Sequence, residues 1–163
     1  MTIPDLIPIA HEPGYRTSTI GSFSRGQFFA SVTYAFPEGF AMGEGWEEHK
    51  RLFVVLHTFD HEGNHQASDI WSAGTWAEQM RRRYAPDSVV ARAEARLDAL
   101  LADLPDLAYG DIAIRPFRIT VDGVLFGLVT ECHGEEEDGE EDWAELYPDQ
   151  LGFSAPWDGT YDT

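Results

Sequence analysis

The chain has 163 residues, with 29 acids against 11 bases and a formal net charge of −18. Its length predicts a single domain over 1–163, and its 43% hydrophobic residues suffice for a buried core. So acidic a chain repels phosphate backbones and anionic membranes, which argues against nucleic acid and membranes as partners and favours a basic protein. The only cysteine, Cys132, excludes a disulfide framework, and residues 1–13 carry no signal-peptide pattern, so we expect a cytoplasmic protein.

The first half of the chain is rich in predicted strands. Aromatic and β-branched residues favour strands over 26–36 and 50–59, and a weaker pattern favours a third strand over 66–74. A short helix is expected over 75–84, where Thr75 can cap its first turn.

The clearest predicted helix covers 86–106. Asp87 or Ser88 can cap its start, and Pro105 ends it. Six apolar residues fall on one face of this helix: Val90, Ala93, Leu97, Leu100, Leu101 and Leu104. We interpret this stripe as core and assign no cofactor to it.

A β-hairpin is predicted over 115–131. Asp122-Gly123 lies between two apolar runs and is typical of a two-residue type I′ turn. This turn fixes the register of both strands and directs three cross-strand pairs to one buried side: Val121 with Val124, Ile119 with Phe126, and Phe117 with Leu128.

Together these elements predict an α+β fold. We expect an antiparallel β-sheet of about five strands in the order ββ(β)-α-ββ, with one long helix packed on one face. The aromatic C-terminal extension 146–163 is expected to be ordered, because a disordered tail seldom carries so many aromatic residues.

Three histidines, His57, His61 and His65, are spaced four residues apart. Gly63 and the apolar run before His57 favour a strand and turn here rather than a helix. A three-residue loop would pair Phe59 with His65 and put His57 and His65 on one face, whereas a four-residue loop would separate them. The alternative to a simple polar hairpin is a metal site of His57, His65 and Asp69.

The acidic loop 131–145 permits two interpretations. Glu136, Asp138, Gly139 and Glu145 match positions of a calcium-binding loop, but Gly134 occupies the first position, where a ligand is required. The other interpretation is a solvated acidic surface that attracts a basic partner.

Catalytic motifs are missing from the sequence. There is no G-x-S-x-G, no phosphate-binding glycine loop and no H-E-x-x-H. We therefore assign no catalytic residue and no cofactor.

Five stretches give the chain a family resemblance. They are "IPIAHEPGYRTSTIG" (7–21), "GQFFASVTYAFPEG" (26–39), "HKRLFVVLHTFDHEGNHQASDIWSAGT" (49–75), "YGDIAIRPFRITVDGVLFGLV" (109–129) and "DWAELYPDQLGFSAPWDGTYDT" (142–163). Through these stretches the chain resembles a group of small acidic bacterial proteins often labelled formate hydrogenlyase regulatory proteins. The resemblance implies a bacterial origin and a regulatory role, and it supplies no catalytic residues.

We therefore expect a non-enzymatic interaction module that regulates or inhibits a basic protein, as a toxin-neutralising immunity protein does. Acidic residues would steer the partner and tryptophans would anchor it. The alternatives are a metal-dependent enzyme or metal-binding protein and a calcium-responsive module. The predicted partner-binding residues are Glu135, Glu136, Glu137, Asp138, Glu140, Glu141, Asp142, Trp143, Trp46 and Trp157.

Overall fold

The computed structural model of the chain describes residues 3–131 and 142–163. Antiparallel strands dominate this part of the chain, and helices are few. The strands are β1 (Ile7–Ile9), β2 (Ile20–Phe23), β3 (Gly26–Ala35), β4 (Arg51–Phe59), β5 (His65–Thr75), β6 (Ala108–Tyr109), β7 (Ile112–Ile114), β8 (Phe117–Val121), β9 (Val124–Glu131), β10 (Trp143–Tyr147) and β11 (Leu151–Ser154). The helices are α1 (Trp76–Arg81), α2 (Val89–Ala102) and a single 3-10 turn at Trp46–Glu48.

The first sheet has five strands in the order β5-β4-β3-β2-β6. Its centre is the long antiparallel pair of β3 and β4, which runs from Gln27 opposite Phe59 to Ala35 opposite Arg51. Both faces of β4 are buried between Leu52 and His57. A strand buried on both faces requires a packed layer on each side of the sheet.

The second sheet has four strands in the order β11-β10-β9-β8. Its β8–β9 hairpin turns at Asp122 and Gly123, whose φ angles of 51° and 77° are both left-handed, as a type I′ turn requires. The predicted pairs of this hairpin are confirmed: Val121 opposite Val124, Ile119 opposite Phe126, and Phe117 opposite Leu128.

The arrangement of the sheets differs from the single five-stranded sheet that we expect from sequence. The β8–β9 hairpin belongs to the second sheet, and a third sheet pairs β1 with β7. The reason lies in the buried side of the hairpin, where Phe126 and Val124 pack against Phe53 and Val55 of the first sheet. Two sheets that each have an apolar face bury both faces by stacking, which makes a sandwich.

Helix α2 covers the other face of the first sheet. Val89 and Ala93 pack with Leu52 and Val54, and the leucines toward the end of the helix pack against Phe28, Ala30 and Leu56. The helix is shorter than the predicted 86–106, because the Ser88 side chain caps its start by accepting the Ala91 amide at 3.1 Å. No helix of the described residues is long and apolar enough to cross a membrane.

Candidate functional site

The second sheet has an inner face, turned toward the first sheet, and an outer face. The alternating burial of side chains along β10 distinguishes the two faces. Ala144 and Leu146 are buried against the first sheet, whereas Trp143, Glu145 and Tyr147 are half-buried on the opposite side. Because side chains alternate along a strand, these three residues share the outer face.

The neighbouring strand β9 adds to the same surface. Glu131 lies opposite Trp143, and Val129 lies opposite Glu145. We define the outer face as six residues of β9 and β10: Leu125, Val129, Glu131, Trp143, Glu145 and Tyr147. Leu125, Val129 and Tyr147 do not pack against any of the four buried clusters found in the described residues.

Gly127 leaves a gap in this surface. Its φ is 134°, and a side chain there would collide with the carbonyl oxygen of Phe117. In the pairing register, Gly127 lies between Arg118 of β8 and Tyr147 of β10. Only Gly127 separates Arg118 from Tyr147 across the sheet, so no side chain lies between the guanidinium and the phenol.

Carboxylates dominate the electrostatics of the outer face. A hydrogen bond with Glu145, together with partial burial and the charges of Glu145 and Glu131, raises the pKa of Tyr147 to about 12. The phenol therefore keeps its proton at neutral pH and can donate a hydrogen bond. Arg118 lies 3.9 Å from Glu38, and both side chains are more than half exposed, so this ion pair is weak.

The acidic loop begins and ends beside the outer face. Glu131 and Trp143 are cross-strand partners. Glu131, which ends the first described segment, and Asp142, which begins the second, therefore lie close together. The ten residues that connect them in the sequence carry six acids. Those six predicted partner-binding residues, and with them the calcium-loop alternative, lie outside the described residues: Glu135, Glu136, Glu137, Asp138, Glu140 and Glu141.

The same end of the sandwich carries the tip of the β4–β5 hairpin. The Arg115 amide donates to the Gly63 carbonyl at 2.9 Å, and Arg115 lines a shallow hollow together with Asp5 and Asp142. Glu62 is exposed on the hairpin tip. Asp5 therefore places a further carboxylate beside Asp142.

The three predicted tryptophan anchors are not brought together. Only Trp143 lies on the outer face. Trp46 lies near the start of β4, where its ring and the Trp76 ring are 5.8 and 4.6 Å from the Lys50 ammonium. Trp157 is half-buried against the core cluster that contains Phe153.

The sequence allows two registers for the histidine hairpin, and the structure adopts the one that pairs Phe59 with His65. His57 and His65 accordingly lie on the same face of the first sheet, the face that is turned toward the second sheet. Ser68 bridges them: its Oγ lies 2.6 Å from Nδ1 of His57 and 2.7 Å from Nε2 of His65. The Phe117 ring stacks on His65 at 4.5 Å.

Asp69 lies apart from these histidines, so the structure does not bring together the alternative metal set of His57, His65 and Asp69. Gln66 is an extra residue in β5, because Thr58 pairs with Ala67 while Phe59 pairs with His65. Such a bulge reverses the alternation of side chains beyond it. Asp69 therefore faces α2, where Arg96 donates two hydrogen bonds to its carboxylate at 2.9 and 3.0 Å.

The histidine cluster is a neutral hydrogen-bonded chain. Burial, and secondarily the charge of His65, lowers the pKa of His57 from 6.5 to about 3. Burial also lowers the pKa of His65. Among the residues that the structure describes, no three His, Cys, Asp or Glu side chains are grouped so that they could hold a metal ion.

Comparison with known proteins adds no relative. No protein-family model, no curated protein and no solved structure matches this chain.

Proposed function

We propose that this chain is a non-enzymatic module that binds a basic protein through the outer face and the acidic loop. The observation that carries this proposal is the composition of the outer face. Trp143, Tyr147 and Val129 lie there half-buried beside Glu131 and Glu145.

Such a surface has the two properties that a binding site for a basic protein needs. Large rings such as Trp143 and Tyr147 supply most of the free energy of binding at protein interfaces once a partner excludes water from them. Carboxylates around them accelerate the encounter with a positively charged partner and disfavour acidic ones.

The charge balance supports the same proposal. Six ion pairs join arginines to carboxylates in the described part of the chain, whereas the sequence contains 29 acids and 11 bases. Most of the negative charge is therefore not neutralised by arginine and remains available for a partner in trans.

In this proposal the chain is a cytoplasmic regulator or inhibitor that masks a basic active site, as an immunity protein does. Residues 1–163 act as one domain. The C-terminal residues 146–163 complete the second sheet, since β11 pairs with β10, and helix α2 covers the first sheet. The regulatory role implied by the family resemblance agrees with this proposal.

Two matched charge variants test the proposal. The first, E135Q/E136Q/E137Q/D138N, removes four negative charges from the acidic loop. The second removes the same number from exposed positions elsewhere, Glu44, Glu48, Glu94 and Asp98, by the corresponding amide substitutions. The immobilised wild type and both variants are used to capture proteins from a bacterial lysate at low salt.

We expect the wild type and the second variant to capture the same basic protein. With that protein purified, the loop variant should show an association rate about tenfold lower and a weaker dependence on salt. Equal association rates for the two variants, or a capture yield that ignores salt, would contradict the proposal.

A further inference from the structure

A hollow of about 340 Å³ lies at one end of the outer face. Leu125 and Tyr147 belong to both, so the hollow and the outer face form one continuous surface. Phe36, Glu38 and Pro148 also line the hollow.

The lining residues combine three kinds of group. Leu125 and Pro148 are aliphatic and suit the methylene stem of a long side chain. Phe36 and Tyr147 contribute aromatic groups, which attract cations through their ring electrons. Glu38 contributes a carboxylate.

The carboxylate of Glu38 retains capacity for a ligand. Its only ion pair in the described part of the chain is the 3.9 Å contact with Arg118, which is longer than a hydrogen bond. The side chains of Glu38 and Arg118 are 53% and 62% exposed, so water screens this contact. Arg118 is therefore a weak intramolecular competitor for the hollow.

We propose that this hollow receives one arginine side chain of the basic partner. The inference rests on the proposed function and names the chemistry that the outer face recognises. A guanidinium fits better than an ammonium, because it is planar, stacks on aromatic rings and donates two parallel hydrogen bonds to a carboxylate. An anionic group is disfavoured by Glu38, by Glu145 and by the net charge of −18.

Short peptides test this inference without the partner. Three acetylated pentapeptides with amide C-termini carry arginine, lysine or citrulline at the centre of the same glycine-serine sequence. Each is titrated into the isotopically labelled full chain, and the Leu125 methyl and Glu38 amide resonances are followed by NMR. Citrulline keeps the shape of arginine without its charge.

We expect the arginine peptide to shift both resonances with a Kd in the millimolar range, about threefold tighter than the lysine peptide, and the citrulline peptide to have no effect. Leu125→Trp, which fills the hollow, should weaken binding at least about tenfold, whereas Val129→Trp on the same face should not. Arg118→Gln should strengthen binding about twofold, because the internal competitor is lost. Circular dichroism checks that all three variants fold.

Two results would overturn the inference: equal shifts with arginine and citrulline, or unchanged arginine binding by Leu125→Trp. Failure of the inference and failure of the proposed function give different outcomes. If a basic partner is captured and binds Leu125→Trp as tightly as the wild type, the hollow is not its arginine site, although the proposed function stands. If no basic partner is captured but the arginine peptide still binds at the hollow, the proposed function fails although the hollow does bind an arginine side chain.

Discussion

The inner and outer faces of the second sheet are made by the same strands, yet their residues have different surroundings. Phe126, Leu128 and Leu146 on the inner face are fully or almost fully buried. Val129, Glu145 and Tyr147 on the outer face are half-buried and mix apolar with charged groups. This contrast separates two roles: substitutions on the inner face should reduce stability, and substitutions on the outer face should reduce binding.

The largest effect is expected on the inner face. Phe126→Ala removes a ring that is fully buried and packs edge-on against Phe53, with 5.3 Å between ring centroids. We expect a loss of about 3–5 kcal/mol in the free energy of unfolding, measured by urea denaturation. The matched control Val129→Ala, on the outer face of the same strand, should lose less than about 1.5 kcal/mol. Similar losses for the two variants would contradict the distinction between the faces.

The pairing of β8 with β9 requires a glycine at position 127. Gly127→Ala places a methyl group against the carbonyl oxygen of Phe117 at a left-handed φ of 134°. We expect a loss of about 2–4 kcal/mol, because both the close contact and the backbone conformation become unfavourable. A methyl group added at Gly110 would lie in open space. Gly110→Ala is therefore the control and should change the unfolding free energy little.

The histidine cluster predicts a dependence of stability on pH. The pKa of His57 is about 3 in the folded chain and 6.5 in the unfolded chain, so the unfolded state binds the proton more readily. The stability that neutral His57 contributes is complete above pH 6.5 and is lost as the pH falls toward 3. Between pH 7 and pH 4.5 this loss amounts to about 2 kcal/mol.

His57→Asn isolates this contribution, because the amide can still bond to Ser68 but does not titrate. We expect the unfolding free energy of the wild type to fall by about 2 kcal/mol more than that of the variant over this pH range. Parallel pH profiles for the two proteins would show that His57 is not held neutral by burial.

The smallest effect on stability, and the largest on binding, is expected at Trp143. Trp143→Ser should change the unfolding free energy by less than about 1.5 kcal/mol, because the ring is only half-buried. Its Kd for the basic partner should rise about thirtyfold, as for the loss of a central anchor. Trp157→Ser is the matched control: since Trp157 packs on the core, it should lose stability and keep its affinity.

Local sequence signals predicted several parts of this fold correctly. The Asp122-Gly123 turn determined its hairpin pairs, because a two-residue type I′ loop allows one register. Thr75 and Ser88 do cap their helices, because a cap depends on neighbours only three residues away. The coarse class, mainly antiparallel sheet with few helices, followed from the same local patterns.

Long-range features could not be read in the same way. The bulge at Gln66 is a single extra residue without a glycine or proline to mark it, yet it moves Asp69 away from the histidines. The separation of Trp46 from Trp143 depends on sheet order, which local patterns do not contain. The sequence prediction does not include the outer face, because it assigns no strand to residues 143–147. The alternation of Trp143, Glu145 and Tyr147 with Ala144 and Leu146 is the signal that indicates this strand.

The most direct test of the outer face is to map where a basic partner binds. The captured protein is titrated into the isotopically labelled full chain, and the backbone amide resonances are followed by NMR. We expect the resonances of Glu131, Trp143 and Glu145 to shift most and those of Glu94 and Asp98 of α2 to shift little. Shifts concentrated on α2, or spread evenly over all exposed carboxylates, would contradict it.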